Sequence, residues 1–404
     1  MNPILPQNLC IPDCEARVWA DGRLYIYGSY DVPGRNDYCS EQYKVFSTDN
    51  LRDWTDHGVS FRGQDAPFAE SNTLFAPDCA YYRGRYYLFF CMPWAIEGVA
   101  VSDSPTGPFS EASAIEGADG SGIDPTILID GEKAYLYWGQ HELRCAELNE
   151  DLRSIRPETL RVGVLTEAEH GFHEGASIRK IGERYCLVYC DTLRGRATCL
   201  AYAWSDAPMG PFKRGGVIID NLHCDTQSWN IHGSICEFKD QWYVFYHRSS
   251  DNSRFSRRTC IEPITIGEDG SIKEVKMTTQ GADGPLPANE CLEAWRNCFV
   301  YGTLQNKLEN EDAYLHSEGQ GNFASYRDLE FRSETRCRLR LRGHGHLYVN
   351  LGSAHSAFIA EFKFEELTEW TTVEATLNVH PEGIQSLHLF FVTGSIDVES
   401  VQFL

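Results

Sequence analysis

Five titratable residues stand at matching points along the first three-quarters of the chain. They are Asp13, Asp78, Asp124, Glu174 and His232, each 8 to 12 residues ahead of the central tyrosine of an aromatic run. Their settings are alike: Ile11-Pro12-Asp13, Ala76-Pro77-Asp78, Ile123-Asp124-Pro125, His173-Glu174-Gly175 and Ile231-His232-Gly233. Four carboxylates and a histidine brought together would repel one another and lose water, which drives their pKa values apart. A fold has no need of that arrangement. A site that needs both a proton donor and a base does.

The elements that must position these residues are the aromatic runs themselves. Aligned on Tyr25, Tyr86, Tyr135, Tyr185 and Tyr243, they recur at intervals of 61, 49, 50 and 58 residues. Strand-type sequence at a period near fifty predicts a five-bladed β-propeller, one four-stranded blade per repeat. The first strand of each blade lines the central channel, so each blade would bring one of the five residues to one mouth of it. Ser102-Asp103-Ser104-Pro105 through Phe109 is echoed by Ser205-Asp206-Ala207-Pro208 through Phe212, as an outer turn would be. Ser47 to Trp54 faintly resembles a sialidase Asp-box without its glycine and reads as another such turn. Ile272 to Met277 is expected to pair with the N-terminal strand and close the ring, removing exposed sheet edges. Past residue 290, alternating apolar runs every 10 to 15 residues predict an antiparallel β-sandwich, jelly-roll-like in character. The reading is all-β, with a propeller over 1–290 and a sandwich over 291–404.

Composition narrows the partners. Thirty-six basic against 58 acidic residues give a net charge of −22, which argues against nucleic acid and anionic membranes and favours a neutral or cationic ligand, or else serves only to keep the protein in solution. The 15 cysteines lack zinc-site spacing and read as buried reduced thiols. The N-terminus shows no signal-peptide pattern and no apolar run approaches about 18 residues, so a cytoplasmic location without a membrane span is expected. Oligomeric state stays open.

Taken in order, Pro12-Asp13 before Asp21-Gly22-Arg23-Leu24-Tyr25, Ala76-Pro77-Asp78, Asp124-Pro125-Thr126, Glu174-Gly175-Ala176-Ser177 and Tyr246-His247-Arg248 resemble glycoside hydrolase family 43 over about residues 1–290. Two departures show: Pro12-Asp13 reverses the family's usual Asp-Pro, and Phe75 stands where a tryptophan is commoner. The resemblance implies an inverting glycosidase, with Asp13 as general base, Glu174 as general acid and Asp124 raising and orienting the acid. Such chemistry sets the two working carboxyls about 6.5–9.5 Å apart with a water between. It further implies that Arg248 and Asp78 meet substrate and that calcium occupies the channel. His232 has two readings, a cation ligand or a hydrogen-bonding histidine. Arg248 reads as a substrate donor or a salt bridge within its blade. Phe75, Trp94, Trp138 and Trp229 could stack on sugar or sit in the core, and Asp31 could support Arg248 or bind sugar. The rear domain resembles a family 6 carbohydrate-binding module, but the module's sugar-gripping aromatic and asparagine are missing from Gly394 to Phe403, which favours a bracing role. The expected substrate is a plant cell-wall oligosaccharide that loses a terminal α-L-arabinofuranosyl residue, with β-xylosidase second. A non-catalytic propeller lectin is the rival from another class. A sialidase would need an arginine cluster and proper Asp-boxes.

Overall fold

The computed structural model describes residues 1–118, 122–310 and 312–404. Its front part is a five-bladed β-propeller followed by a nine-stranded β unit. Each blade is an antiparallel meander. Blade one is built from Glu15–Val18, Leu24–Gly28, Gln42–Thr48 and Thr55–Arg62, and blade three from Thr126–Asp130, Lys133–Trp138, Glu142–Glu147 and Arg161–Thr166. The aromatic runs are the second strands. Most of their tyrosines and phenylalanines are buried, and Tyr86, Tyr87 and Tyr243 are half-buried against the same cores, where β-branched and aromatic side chains fill a pleated surface. Among the described residues the one α-helix is the single turn Glu167–His170, and no helix is long and apolar enough to cross a membrane.

Blade five departs from the expectation. It has three strands, Gly233–Phe238, Gln241–Ser250 and Ser253–Ile264. Ile272 to Met277 forms no strand with the N-terminus. Ile272 bridges Ile266 and the Val275 N–H donates to Ile218 in blade four. The ring is instead tied by residues 2–4 laid along Ser253–Ile264: the Ile4 N–H donates to Thr259, and the Asn2 side chain exchanges hydrogen bonds with Ile261. A two-sided amide reading one residue's N–H and C=O does the work of a strand, so no long regular run was needed there.

The rear unit folds around its own apolar core, from Ala288 through Leu339 and Val349 to Phe403. Its strands begin at Leu286–Pro287. The two parts meet through polar contacts, the buried Arg248 to the Asn297 carbonyl, the Thr279 N–H to the Arg327 carbonyl, and the Val300 N–H to the His223 carbonyl.

Candidate active site

One cavity of about 320 Å³ opens at the channel mouth, and all five blades contribute to its wall. Asp13, Phe75, Asp124, Glu174 and His232 line it, together with Tyr38, Gln140, His173, Trp229, Asn230 and Arg257.

Asp13 and Asp124 occupy equivalent points, each two residues ahead of its blade's first strand, with φ of 57° and 59°. Aspartate tolerates this left-handed region better than most residues, and it turns the carboxylate off the strand and into the mouth. Glu174 lies within Phe172–Ile181, where the register slips on both sides of it. A bulge of that kind re-aims a side chain at an active site. The next residue, Gly175, has φ +66°, and a Cβ there would come within 2.9 Å of the His232 ring. The Glu-Gly pair thus lets an imidazole pack beneath the acid's backbone.

Asp13 is buried and accepts hydrogen bonds from Ser29 Oγ at 2.7 Å and Arg257 Nη1 at 3.0 Å, with His247 Nδ1 3.3 Å away. Burial alone would raise its carboxyl. The Arg257 guanidinium, His247 and His232 outweigh that and hold it well below the usual carboxylate range. Asp124 is the opposite case: burial first, then the charges of Glu174 and Asp13, push it well above that range. Asp124 is the more deeply buried of the two neighbouring carboxyls, and the upward shift falls on it. Glu97, fully buried and with no hydrogen-bond partner for its carboxyl among the described residues, is also pushed well up, by burial and by Asp124. Glu174 accepts from Gln140 Nε2 at 2.8 Å and lies 3.4 Å from Asn230 Nδ2. His232 Nδ1 sits 3.8 Å from Asp13 and 3.7 Å from Asp124, and burial lowers its pKa.

Several expected residues lie elsewhere. Arg248 is buried at the seam with the rear unit, bonded to Tyr246 Oη and 3.3 Å from Glu262, because the alternation of its strand turns it away from the mouth. Arg257, on the next strand, takes the place foreseen for it. Its fork grips Asp31 through Nε and Nη2, both at 2.9 Å, while Nη1 reaches Asp13. Asp31 therefore holds an arginine, as one reading had it, but the arginine is 257. Asp78 is bound by Arg17 at 3.0 and 2.6 Å and by the Thr126 hydroxyl and Ile127 N–H, inside the channel and off the cavity wall. Trp138 is wholly buried in the core of blades two and three. Trp94 sits 80% exposed on a turn at φ 70° and does not line the cavity. Phe75 and Trp229 supply its aromatic faces, the latter beneath Arg254 at 5.3 Å.

The sequence pattern of "Glycosyl hydrolases family 43" matches residues 1–272. The chain belongs to glycosyl hydrolase family 43. As a member of that family it is a glycosidase. A "Xylosidase/arabinosidase" of Thermoclostridium stercorarium is 30% identical over 99% of this chain and 98% of its own. Among solved structures, the family 43 β-xylosidase/α-arabinofuranosidase CoXyl43 from a compost microbial metagenome, with xylotriose and in a calcium-free form, covers 68% of this chain and 97% of its own at 29% identity and TM-score 0.59. A family 43 arabinoxylan arabinofuranohydrolase from Bacillus subtilis matches over 100% of this chain and 97% of its own, with TM-score 0.59 and 20% identity, a likeness of fold.

Proposed function

We propose that this glycosidase inverts configuration while releasing single terminal pentoses, α-L-arabinofuranosyl in the first place and β-xylosyl in the second, from xylan-related oligosaccharides. The observation that carries the reading is the convergence at one cavity of three carboxyls, Asp13 held well below the usual range by Arg257, Asp124 pushed well above it by burial, and Glu174 beside Asp124 on the cavity wall. Asp13, as general base, takes a proton from the attacking water. Glu174, as general acid, gives its proton to the glycosidic oxygen, and Asp124 holds the acid in place. Two buried polar atoms of the lining residues, Tyr38 Oη and Asn230 Oδ1, have no hydrogen-bond partner among the described residues. Walls drawn from five blades favour an end group over a chain running through, and relatives named for both pentose activities support the two-sugar reading.

Calcium in the channel belongs to the same proposal. It takes about six to eight oxygen ligands, and His232 offers one nitrogen. With Nδ1 facing Asp13 and Asp124, Nε2 is left for an ion. The fit is to an ion held largely through water, which would add positive charge beneath the carboxylates. Fifteen free cysteines, fourteen of them buried, support a reducing, cytoplasmic setting. The rear unit we read as a brace for the propeller.

The test is hydrolysis of 4-nitrophenyl α-L-arabinofuranoside and β-D-xyloside by the wild type and Glu174→Gln, with the anomer of the product followed by NMR. Turnover of either substrate, lost in the variant and giving the inverted anomer first, is expected. Undiminished turnover in Glu174→Gln, or a retained anomer, overturns the assignment.

A further inference from the structure

We propose that His141, Glu167 and His173 form a binding site for a zinc-class divalent ion at the lip of the cavity. His141 Nδ1 lies 3.0 Å from one Glu167 carboxylate oxygen and His173 Nδ1 lies 3.3 Å from the other. The three ligand atoms fall within 4.8 Å of one another. Two imidazoles and a carboxylate suit zinc, cobalt, nickel or copper, whereas calcium and magnesium prefer all-oxygen sets.

The backbone holds this geometry without help from the side chains. The His141 N–H donates to the His173 carbonyl at 2.6 Å, and the Glu167 N–H donates to the His141 carbonyl at 2.9 Å. Glu167 opens a helical turn capped by Thr166, whose hydroxyl accepts from the Glu169 N–H. The Thr192 hydroxyl reaches a Glu167 oxygen at 3.3 Å, an outer contact of the kind that orients metal ligands. The two rings meet edge to face at 4.9 Å and 81°. With side chains 57%, 41% and 23% exposed, the cluster opens to solvent, which leaves a fourth position for water.

The neighbours give the site its interest, and this part rests on the glycosidase reading. Gln140, next to His141, donates to Glu174, and His173 precedes Glu174 in its strand. An ion would pin the turn carrying Gln140 to the strand carrying Glu174 and stand at the substrate entrance.

The experiment uses tag-free, EDTA-treated full-length protein titrated with Zn²⁺ by calorimetry and with Co²⁺ by visible absorption. It is carried out in a Cys291→Ser background, which removes the exposed thiol. One equivalent of Zn²⁺ is expected, retained in His232→Ala. His141→Ala, whose side chain is largely exposed, should bind at least tenfold more weakly and lose the tetrahedral cobalt spectrum. Binding unchanged in His141→Ala, or no binding by the parent protein, overturns the proposal. Nitrophenyl glycoside hydrolysis measured in parallel keeps the two readings apart: saturable zinc binding in a protein that hydrolyses neither substrate would sink the proposed terminal-pentose activity and leave the metal site standing.

Discussion

Arg257→Met and Arg248→Met should fail in different ways. Arg257 binds Asp31 through two bonds of 2.9 Å and Asp13 through one of 3.0 Å, with all three residues buried. Removing one partner of a buried ion pair costs about 3–5 kcal/mol, because the orphaned charge stays in the interior. For a unit of this size that lowers the thermal midpoint by roughly 10 °C. The guanidinium is also what overrides burial at Asp13. Loss of an opposite charge at this range moves a carboxyl up by about 1–3 pH units. The acid limb of kcat/KM should move up by that amount. The sign for stability follows: a depressed carboxyl stabilises above its unfolded pKa and loses that contribution as pH falls through its folded value. The midpoint gap between wild type and Arg257→Met should therefore narrow in strong acid. Adding Asp31→Asn removes one orphaned charge and should recover part of the midpoint while leaving the acid limb displaced. Arg248→Met instead strands Glu262, which burial already raises to about 7 despite Arg248. It should lower the midpoint and leave the pH profile of kcat/KM in place. Differential scanning fluorimetry and pH–rate profiles on a nitrophenyl glycoside read both quantities. A displaced profile in Arg248→Met together with an undisturbed one in Arg257→Met would refute the assignment of Arg257 to the site.

Three further outcomes follow from the same geometry. In Asp124→Asn the carboxyl that burial and Glu174 raise is replaced by a neutral group. Its destabilising ionisation as pH climbs through the folded value disappears, so the variant gains stability relative to wild type in the alkaline range, and the basic limb of kcat/KM moves to lower pH. Urea midpoints across pH check the first part; a loss of relative stability at high pH would contradict it. Gly175→Ala drives a methyl to within 2.9 Å of the His232 ring at φ +66° and should lower kcat at least tenfold, since a misplacement of about 1 Å in a working group costs about a hundredfold. Wild-type kcat there would show that the close packing is dispensable. Adding calcium to EDTA-treated protein should raise the thermal midpoint of the wild type and not that of His232→Ala; an equal rise in both would place the ion elsewhere.

The period of the aromatic runs made the propeller legible, because a blade's second strand must be apolar on both faces to pack between its neighbours. Position within the repeat carries a finer signal. Asp13, Asp124, Glu174 and His232 stand 11 or 12 residues ahead of their tyrosines and line the cavity, while Asp78 stands 8 ahead and does not. Those missing residues put Asp78 inside its strand, where it meets Arg17, and leave Phe75 and Ala76 at the wall. Arg248 was misplaced for a related reason. Strand alternation gives each of two adjacent residues the opposite face, and nothing in Tyr246-His247-Arg248 says which face is the channel. Here it is His247, 3.3 Å from Asp13, that faces the base. The pair Arg257-Arg258 carried the missing signal: in a strand one of two consecutive arginines must point inward, and a buried carboxylate such as Asp31 needs it. His141, Glu167 and His173 had no such signal. Their spacings of 26 and 6 residues match no ligand motif, because the cluster is made by a turn, a capped helical turn and a strand from two blades meeting at one lip. Chemistry assembled by a repeat is readable from its period. Chemistry assembled between repeats becomes visible only when the ring is closed.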